Sequence, residues 1–175
     1  MAKLPPAEFF AKYAKAAQDT CHGTGLCASV CLAQAAIESG WGDSGLAATY
    51  NNFGGIKAAW DWKGKVVVLP PHEVIKGKSV IVQAAFRHYD SAADYFRGRL
   101  AFLKANKRYA RLFASDDYVA EAHLFQACGY ATDPNYGNVL AATVRKYGLT
   151  KYDDARAQPT IQAATARPLP ATKAA

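Results

Sequence analysis

No apolar stretch in this 175-residue chain approaches the roughly 18 residues a membrane-crossing helix needs, so a membrane-spanning helix is excluded. The first residues, Met1-Ala2-Lys3-Leu4-Pro5-Pro6-Ala7-Glu8, lack the apolar core of a secretory signal, which predicts synthesis in the cytoplasm without a cleaved leader. A dense basic tract is missing as well. The formal net charge of +7 favours polyanionic partners such as nucleic acid, anionic membranes or cell wall. Its carriers, however, are spread out (Lys63, Lys65, Lys76, Lys78, Arg97, Arg99, Lys104, Lys107, Arg108, Arg111) and read as a solvated basic surface, not as a nucleic-acid arm. There is no internal repeat, and no paired C-x-x-C knuckle of the kind structural zinc sites use. Cys21, Cys27 and Cys31 do cluster beside His22, but at a spacing that disfavours zinc. Two readings of the four cysteines stand: one disulfide from Cys21 to Cys27 or Cys31, with Cys128 able to take the one left over, or four reduced thiols buried as small hydrophobes.

What is present is ordinary for a soluble globular protein, with 51% hydrophobic and 20% charged residues, and the length suits a single core. Pro5 and Pro6 open a helix through Ala17, with Phe9, Phe10, Tyr13 and Ala17 at helical spacing. A second helix is predicted over 28–39, rich in small residues and stopped by Gly40. Residues 50–56 read as a loop. The branched runs 66–69 and 80–86 read as strands around a connection with a turn at Lys76-Gly77, giving a small β-lobe inserted in a helical body. Helices resume over 91–105 and 116–128, the latter capped by Gly129. Another helix follows, with Thr132 or Asp133 as its cap and Pro134 first, and ends near Tyr147-Gly148. The expected organisation is a catalytic domain over 1–152 and a flexible Ala/Pro/Thr-rich tail over 153–175.

The most informative segment is Gln34-Ala35-Ala36-Ile37-Glu38-Ser39-Gly40-Trp41-Gly42. Glu38 stands in the last turn of an apolar helix. The negative helix end and an apolar surround both disfavour its ionised form, which is what a general acid requires. Trp41 offers a flat face to a sugar ring.

This segment resembles the signature of the bacterial β-N-acetylglucosaminidases of glycoside hydrolase family 73, which include flagellar rod-cap and autolysin domains. Three further motifs follow in the family's order. Tyr50-Asn51-Asn52-Phe53-Gly54-Gly55-Ile56-Lys57 is similar to its Asn-x-Phe-Gly-Ile-Lys loop, with a doubled glycine in place of one. Phe86-Arg87-His88-Tyr89-Asp90-Ser91 resembles its Phe-Arg-x-Tyr-x-Ser element. Tyr130-Ala131-Thr132-Asp133-Pro134-Asn135-Tyr136 resembles its Tyr-Ala-Thr-Asp-Pro-x-Tyr motif. The resemblance spans residues 4–149.

The resemblance implies a mainly helical, lysozyme-like α+β fold that needs neither cofactor nor metal. In it Glu38 protonates the glycosidic oxygen between N-acetylglucosamine and N-acetylmuramic acid in peptidoglycan. Glu73, here in the context His72-Glu73-Val74, matches a second carboxylate of several members. A separation from Glu38 beyond roughly 6.5 Å suits a water-activating base and inversion. Otherwise the substrate's acetamido group acts as nucleophile, oriented by Tyr130. Trp41, Tyr50, Asn51, Phe53, Tyr136 and Asp133 are the implied substrate contacts, with a helix-capping role as the competing reading of Asp133. Competing functions are a muramidase or lytic transglycosylase on the same scaffold, and a catalytically idle wall-binding module. A nucleic-acid binder has only net charge in its favour. A bacteriolytic enzyme made without a signal peptide and acting in the periplasm or cell wall fits a phage lysin released by a holin, or an injected type VI effector. The effector reading adds a periplasmic immunity protein as partner.

Overall fold

The helix expected over 28–39 forms as α2, Ala28–Glu38, and its residues from Ala28 to Ala36 are all buried. It is the axis of the domain, with α1 (Pro6–Cys21), α5 (Tyr118–Ala127), α6 (Tyr136–Lys146) and the 3₁₀ turn Leu149–Tyr152 packed around it. Its run of small side chains is what lets so many neighbours approach. In this computed structural model residues 3–60, 62–69, 72–75, 78–81, 84–115 and 117–153 are described, with backbone alone at 72–75 and 78–81. The expected tail, apart from Asp153, lies outside the described residues.

A helix buried this thoroughly cannot leave its first amides to water. No local side chain caps α2. Two distant carboxylates do so instead: the Cys27 amide donates to Glu121 Oε2 at 2.6 Å, and the Ser29 amide donates to Asp153 Oδ1 at 2.7 Å. The Ser29 hydroxyl also donates to Asp153 Oδ2 at 2.7 Å. At the other end the chain reverses through three successive left-handed residues, Gly40 (φ 57°), Trp41 (φ 64°) and Gly42 (φ 82°). The Trp41 amide returns to Ala36 O at 2.8 Å, and the Ser39 hydroxyl donates to Ala35 O at 2.6 Å while accepting from the Gly42 amide at 2.8 Å. Left-handed backbone is costly for tryptophan. Ring contacts with Phe9, Phe10 and Tyr147 hold it there. The motif following Glu38 is therefore a chain reversal that leaves the glutamate at the last position of the helix.

The remaining elements follow the sequence with local shifts. Helix α1 continues to Cys21, beyond the expected end at Ala17. A short helix α3, Gly45–Tyr50, capped by Ser44, stands just before the expected loop. Helix α4, Ala92–Ala105, starts at Ser91, whose hydroxyl accepts from the Asp94 amide at 3.1 Å. A 3₁₀ segment, Lys107–Ala114, leads into α5. Helix α6 begins two residues later than expected, with Asn135 and not Thr132 or Asp133 at the cap position.

The β-lobe consists of two antiparallel ribbons. β1 (Val66–Leu69) pairs with β4 (Ala84–Arg87), and β2 (His72–Ile75) pairs with β3 (Lys78–Ile81). The segment read as a connection thus contains a strand of its own. The free edge of β4 is covered by the preceding loop: Ala58 donates to Ala85 O at 2.8 Å, and Arg87 donates to Ile56 O at 3.0 Å. This is the mainly helical α+β arrangement with an inserted lobe that the sequence led us to expect.

The cysteines resolve to the reduced reading. All four are free thiols, three of them buried, and none belongs to a group placed to hold a metal among the described residues. The buried capping carboxylate has a measurable consequence. Burial pushes the Glu121 carboxyl up to about 8, against the opposing pull of the Cys27 amide and Arg99. Between its unfolded value near 4.5 and about 8 the folded chain keeps a proton that the unfolded chain has lost. Stability from this group is therefore fully present below the lower value and falls as pH rises through the window. Glu121→Gln keeps an acceptor for Cys27 and removes the titration. We expect the melting temperature of the wild type to fall between pH 5 and pH 8 by roughly 5 °C more than that of the variant. Equal slopes in thermal unfolding would refute the assignment.

Candidate active site

A cleft of about 820 Å³ runs between the helical body and the root of the β-lobe. Glu38, Tyr130 and Thr132 line it from the helical side; Gly54, Lys57, Trp60 and Arg87 line it from the lobe side. Glu38 is the one carboxylate among the described residues that line it, facing the cations Lys57, Arg87 and Arg108. The apolar enclosure expected around Glu38 is absent, because its carboxylate is exposed to the cleft.

Each wall has its own support. On the lobe side, Asn52 is 1% exposed and organises the loop. Its Nδ2 donates to Ile56 O at 2.9 Å and Arg87 O at 2.8 Å, and its Oδ1 accepts from the Ile56 amide at 2.9 Å. Asn51, left-handed at φ 51°, donates to Tyr89 O at 3.0 Å. Arg87 is buried with its guanidinium 4.5 Å from the Trp62 ring and 5.6 Å from the Phe102 ring, which ties the lobe to α4. The doubled glycine is explained by this loop. A Cβ on Gly54 would fall 2.7 Å from the Tyr95 hydroxyl, and Gly55 is left-handed at φ 58°.

On the helical side, Gly129 closes α5 and Tyr130 turns back over the body, its amide donating to Phe125 O at 3.0 Å. The Tyr130 ring stacks on Tyr136, with centroids 5.9 Å apart and planes 18° from parallel. The Tyr136 hydroxyl donates to Glu38 Oε1 at 2.7 Å and accepts from Gln34 Nε2 at 2.9 Å. Burial and the Glu38 charge both raise the Tyr136 phenol well above its usual range. Burial, opposed by Arg99 and aided by Glu38, does the same for Tyr130. Both hydroxyls therefore stay protonated beside the carboxylate, and that of Tyr136 serves as its donor.

The structure brings Glu38, Tyr130 and Tyr136 together at one cleft wall and leaves Phe53, Trp41, Tyr50 and Asp133 out of the cleft lining. Tyr136 is buried beneath the cleft wall, at 5% exposure. Phe53, 2% exposed, belongs to the core with Phe9, Tyr13, Tyr95 and Phe96. Trp41 sits in the aromatic cluster with Phe10 and Tyr147, not among the cleft residues. Tyr50 is half-buried against the His88 ring. Asp133 is exposed ahead of α6, where its Oδ1 accepts from the Asn135 amide at 2.8 Å. Glu73 lies on β2 opposite Val80, and its side chain is outside the described residues. Sequence reasoning passed over Gln34, Asn52 and Arg99 as functional positions. Arg99 was grouped with the solvated basic surface, yet it is buried. The signal was there, since Tyr95, Phe96, Arg99 and Leu103 recur at the helical period of a core face.

Residues 14–149 match the sequence profile of the glucosaminidase family, described as mannosyl-glycoprotein endo-β-N-acetylglucosaminidase. The chain belongs to this family. It falls in glycoside hydrolase family 73 and has the lysozyme-like fold of its solved neighbours. The exo-glucosaminidase LytG of Bacillus subtilis is 38% identical over 133 residues, which cover 72% of this chain and 46% of the relative. A probable N-acetylmuramidase of Lactococcus lactis subsp. lactis is 35% identical over 154 residues, covering 84% of this chain and 35% of the relative. The catalytic domain of the autolysin Auto from Listeria monocytogenes superposes with a TM-score of 0.75 at 29% identity, covering 87% of this chain and 91% of that domain. The chain thus spans less than half the length of these two curated relatives, and nearly all of the isolated catalytic domain.

Trp60 stands on the cleft rim with 92% of its surface exposed, a large apolar face with no core to fill. Sugar rings present apolar C–H faces to such platforms. Trp60→Ala is expected to weaken glycan binding by about 2- to 12-fold, the equivalent of an aromatic contact of roughly 0.5–1.5 kcal/mol, with turnover at saturation unchanged. Sedimentation with purified peptidoglycan and initial rates separate the two effects.

Proposed function

We propose that this domain hydrolyses the β-1,4 bond between N-acetylglucosamine and N-acetylmuramic acid in peptidoglycan, with Glu38 as the general acid. The observation that carries the reading is Glu38 itself. It is the lone carboxylate among the described cleft residues, held by a phenol at 2.7 Å and open to a groove large enough for a glycan. A bound strand displaces water from the groove and disfavours the ionised carboxylate, leaving a proton for the glycosidic oxygen. Lys57, Arg87 and Arg108 on the walls suit the carboxylates that peptidoglycan stems carry, and the net charge of +7 draws the domain to the wall. Glu73, on the lobe, supplies the base that activates water; where the substrate's acetamido group acts as nucleophile instead, Tyr130, which lines the cleft with Glu38, orients it. Trp60, exposed on the cleft rim, offers the sugar-stacking surface, with Tyr50 and Asn51 as further substrate contacts.

Peptidoglycan lies beyond the cytoplasmic membrane, so the domain acts in the periplasm or wall. A phage lysin or a secreted effector both fit that setting, the effector with an immunity protein to protect its producer. Cleavage on the other side of the disaccharide is the second reading, favoured by the relative named as a probable N-acetylmuramidase.

Glu38→Gln is expected to fold normally and to lose at least about a hundredfold in the release of soluble fragments from purified peptidoglycan. Mass spectrometry of wild-type digests decides the bond. Reducing N-acetylglucosamine ends support the proposal, reducing muramic ends mean a muramidase, and anhydro-muramic ends mean a transglycosylase. An active Glu38→Gln would remove the acid assignment. Glu73→Gln is expected to cripple turnover while glycan binding is kept. A silent variant leaves the acetamido group as the nucleophile.

A further inference from the structure

Behind Glu38 lies a chain of buried polar groups that the proposed chemistry does not by itself require. Arg99 on α4 is 1% exposed. Its Nε donates to Gln34 Oε1 at 2.7 Å, and its Nη1 donates to Cys31 Sγ at 3.4 Å. Its guanidinium carbon stands 5.2 Å from the centre of the Phe125 ring. Gln34, fully buried on α2, donates from Nε2 to the Tyr136 hydroxyl at 2.9 Å. Tyr136, on α6, donates to Glu38 Oε1 at 2.7 Å. The run Arg99, Gln34, Tyr136, Glu38 joins three helices and ends at the cleft.

The direction of every bond in this run is fixed by its first member. A guanidinium can only donate. Gln34 must therefore turn its carbonyl oxygen to Arg99, since the flipped amide would set donor against donor. That leaves the amide nitrogen facing Tyr136, and a donor there occupies a lone pair of the phenol oxygen. The phenol proton has no acceptor on that side and points to Glu38 Oε1. This holds whether Glu38 is ionised or neutral, so Oε1 accepts in both states and the acidic proton resides on Oε2.

We propose that Arg99, acting through Gln34 and Tyr136, is a positioning residue that dedicates Glu38 Oε1 to accepting a hydrogen bond and Oε2 to proton donation. The inference rests on the reading of Glu38 as the general acid. Tyr136 thereby acquires a role other than substrate contact, one that agrees with its burial. Burial also sharpens the effect, because a charged donor in a dry site polarises the bonds that follow it.

The test is a series of variants assayed for kcat and KM on soluble peptidoglycan fragments, with melting temperatures measured alongside. Gln34→Glu keeps the shape but places an acceptor beside Tyr136, which draws the phenol proton away from Glu38. Tyr136→Phe deletes that proton. Each is expected to lower kcat at least about tenfold with KM within about twofold of wild type. Because they act in series, Gln34→Glu adds no further loss in the Tyr136→Phe background. Arg99→Gln, able to donate and accept, joins the same non-additive set, while Arg99→Lys, a donor-only cation, recovers part of kcat. Should Arg99→Gln fail to fold, the Gln34→Glu and Tyr136→Phe pair decides alone. Additive losses, or losses carried by KM, overturn the relay. An inactive Glu38→Gln with a fully active Tyr136→Phe also overturns it while leaving the acid assignment standing, whereas an active Glu38→Gln overturns the assignment beneath it.

Discussion

A helix enclosed along most of its length must have both polar ends answered by other parts of the chain, and the rest of this domain is arranged around that requirement. The first amides of α2 find Glu121 and Asp153, which fixes α5 and the segment at Asp153 against it. The last carbonyls are met by a left-handed reversal that Trp41 can tolerate only because three aromatic neighbours hold its ring. Glu38 is the last residue before that reversal, so its place at the cleft follows from how the helix ends. Packing, capping and the position of Glu38 are one problem with one solution.

Burying charge to achieve this is expensive unless the charges answer each other. Arg99 and Glu121 are both enclosed beside α2, on α4 and α5, and Glu121 avoids the cost by keeping its proton up to about 8. Arg99 gains a carbonyl, a thiol and an aromatic face; Glu121 gains an amide. The Cys31 thiol is lowered by its bond from Cys21 and by Arg99, against the effect of burial. Reduced cysteines are thus part of the polar interior here, in keeping with their free state.

Much of this was legible in the sequence, for reasons that differ by element. α2 is legible from its run of small apolar residues stopped by Gly40, α5 from Gly129 at its end, and α6 from Pro134 just before it. The four motifs located the cleft because Glu38, Gly54, Arg87 and Tyr130 come one from each. Short elements were missed: α3 has six residues, too few for a period to show, and β2 follows two prolines that read as a break. The caps of α2 were beyond reach because their partners lie 94 and 124 positions away. Phe53 and Tyr136 were assigned to the groove by motif membership, which identifies the neighbourhood but not the face on which a ring lands. Arg99 was passed over because an arginine is on the surface far more often than not.

The two cleft walls are braced by separate sets of groups. The lobe wall depends on Asn52 and Arg87, and Glu38 on residues of α2, α4 and α6 that make no bond to the lobe in the network described. Such a division makes the domain modular. The lobe can lengthen, shorten or change its lining without moving Glu38. Grafting a foreign lobe onto residues 56 and 87 is the natural cut for exchanging specificity, since those positions already carry the seam.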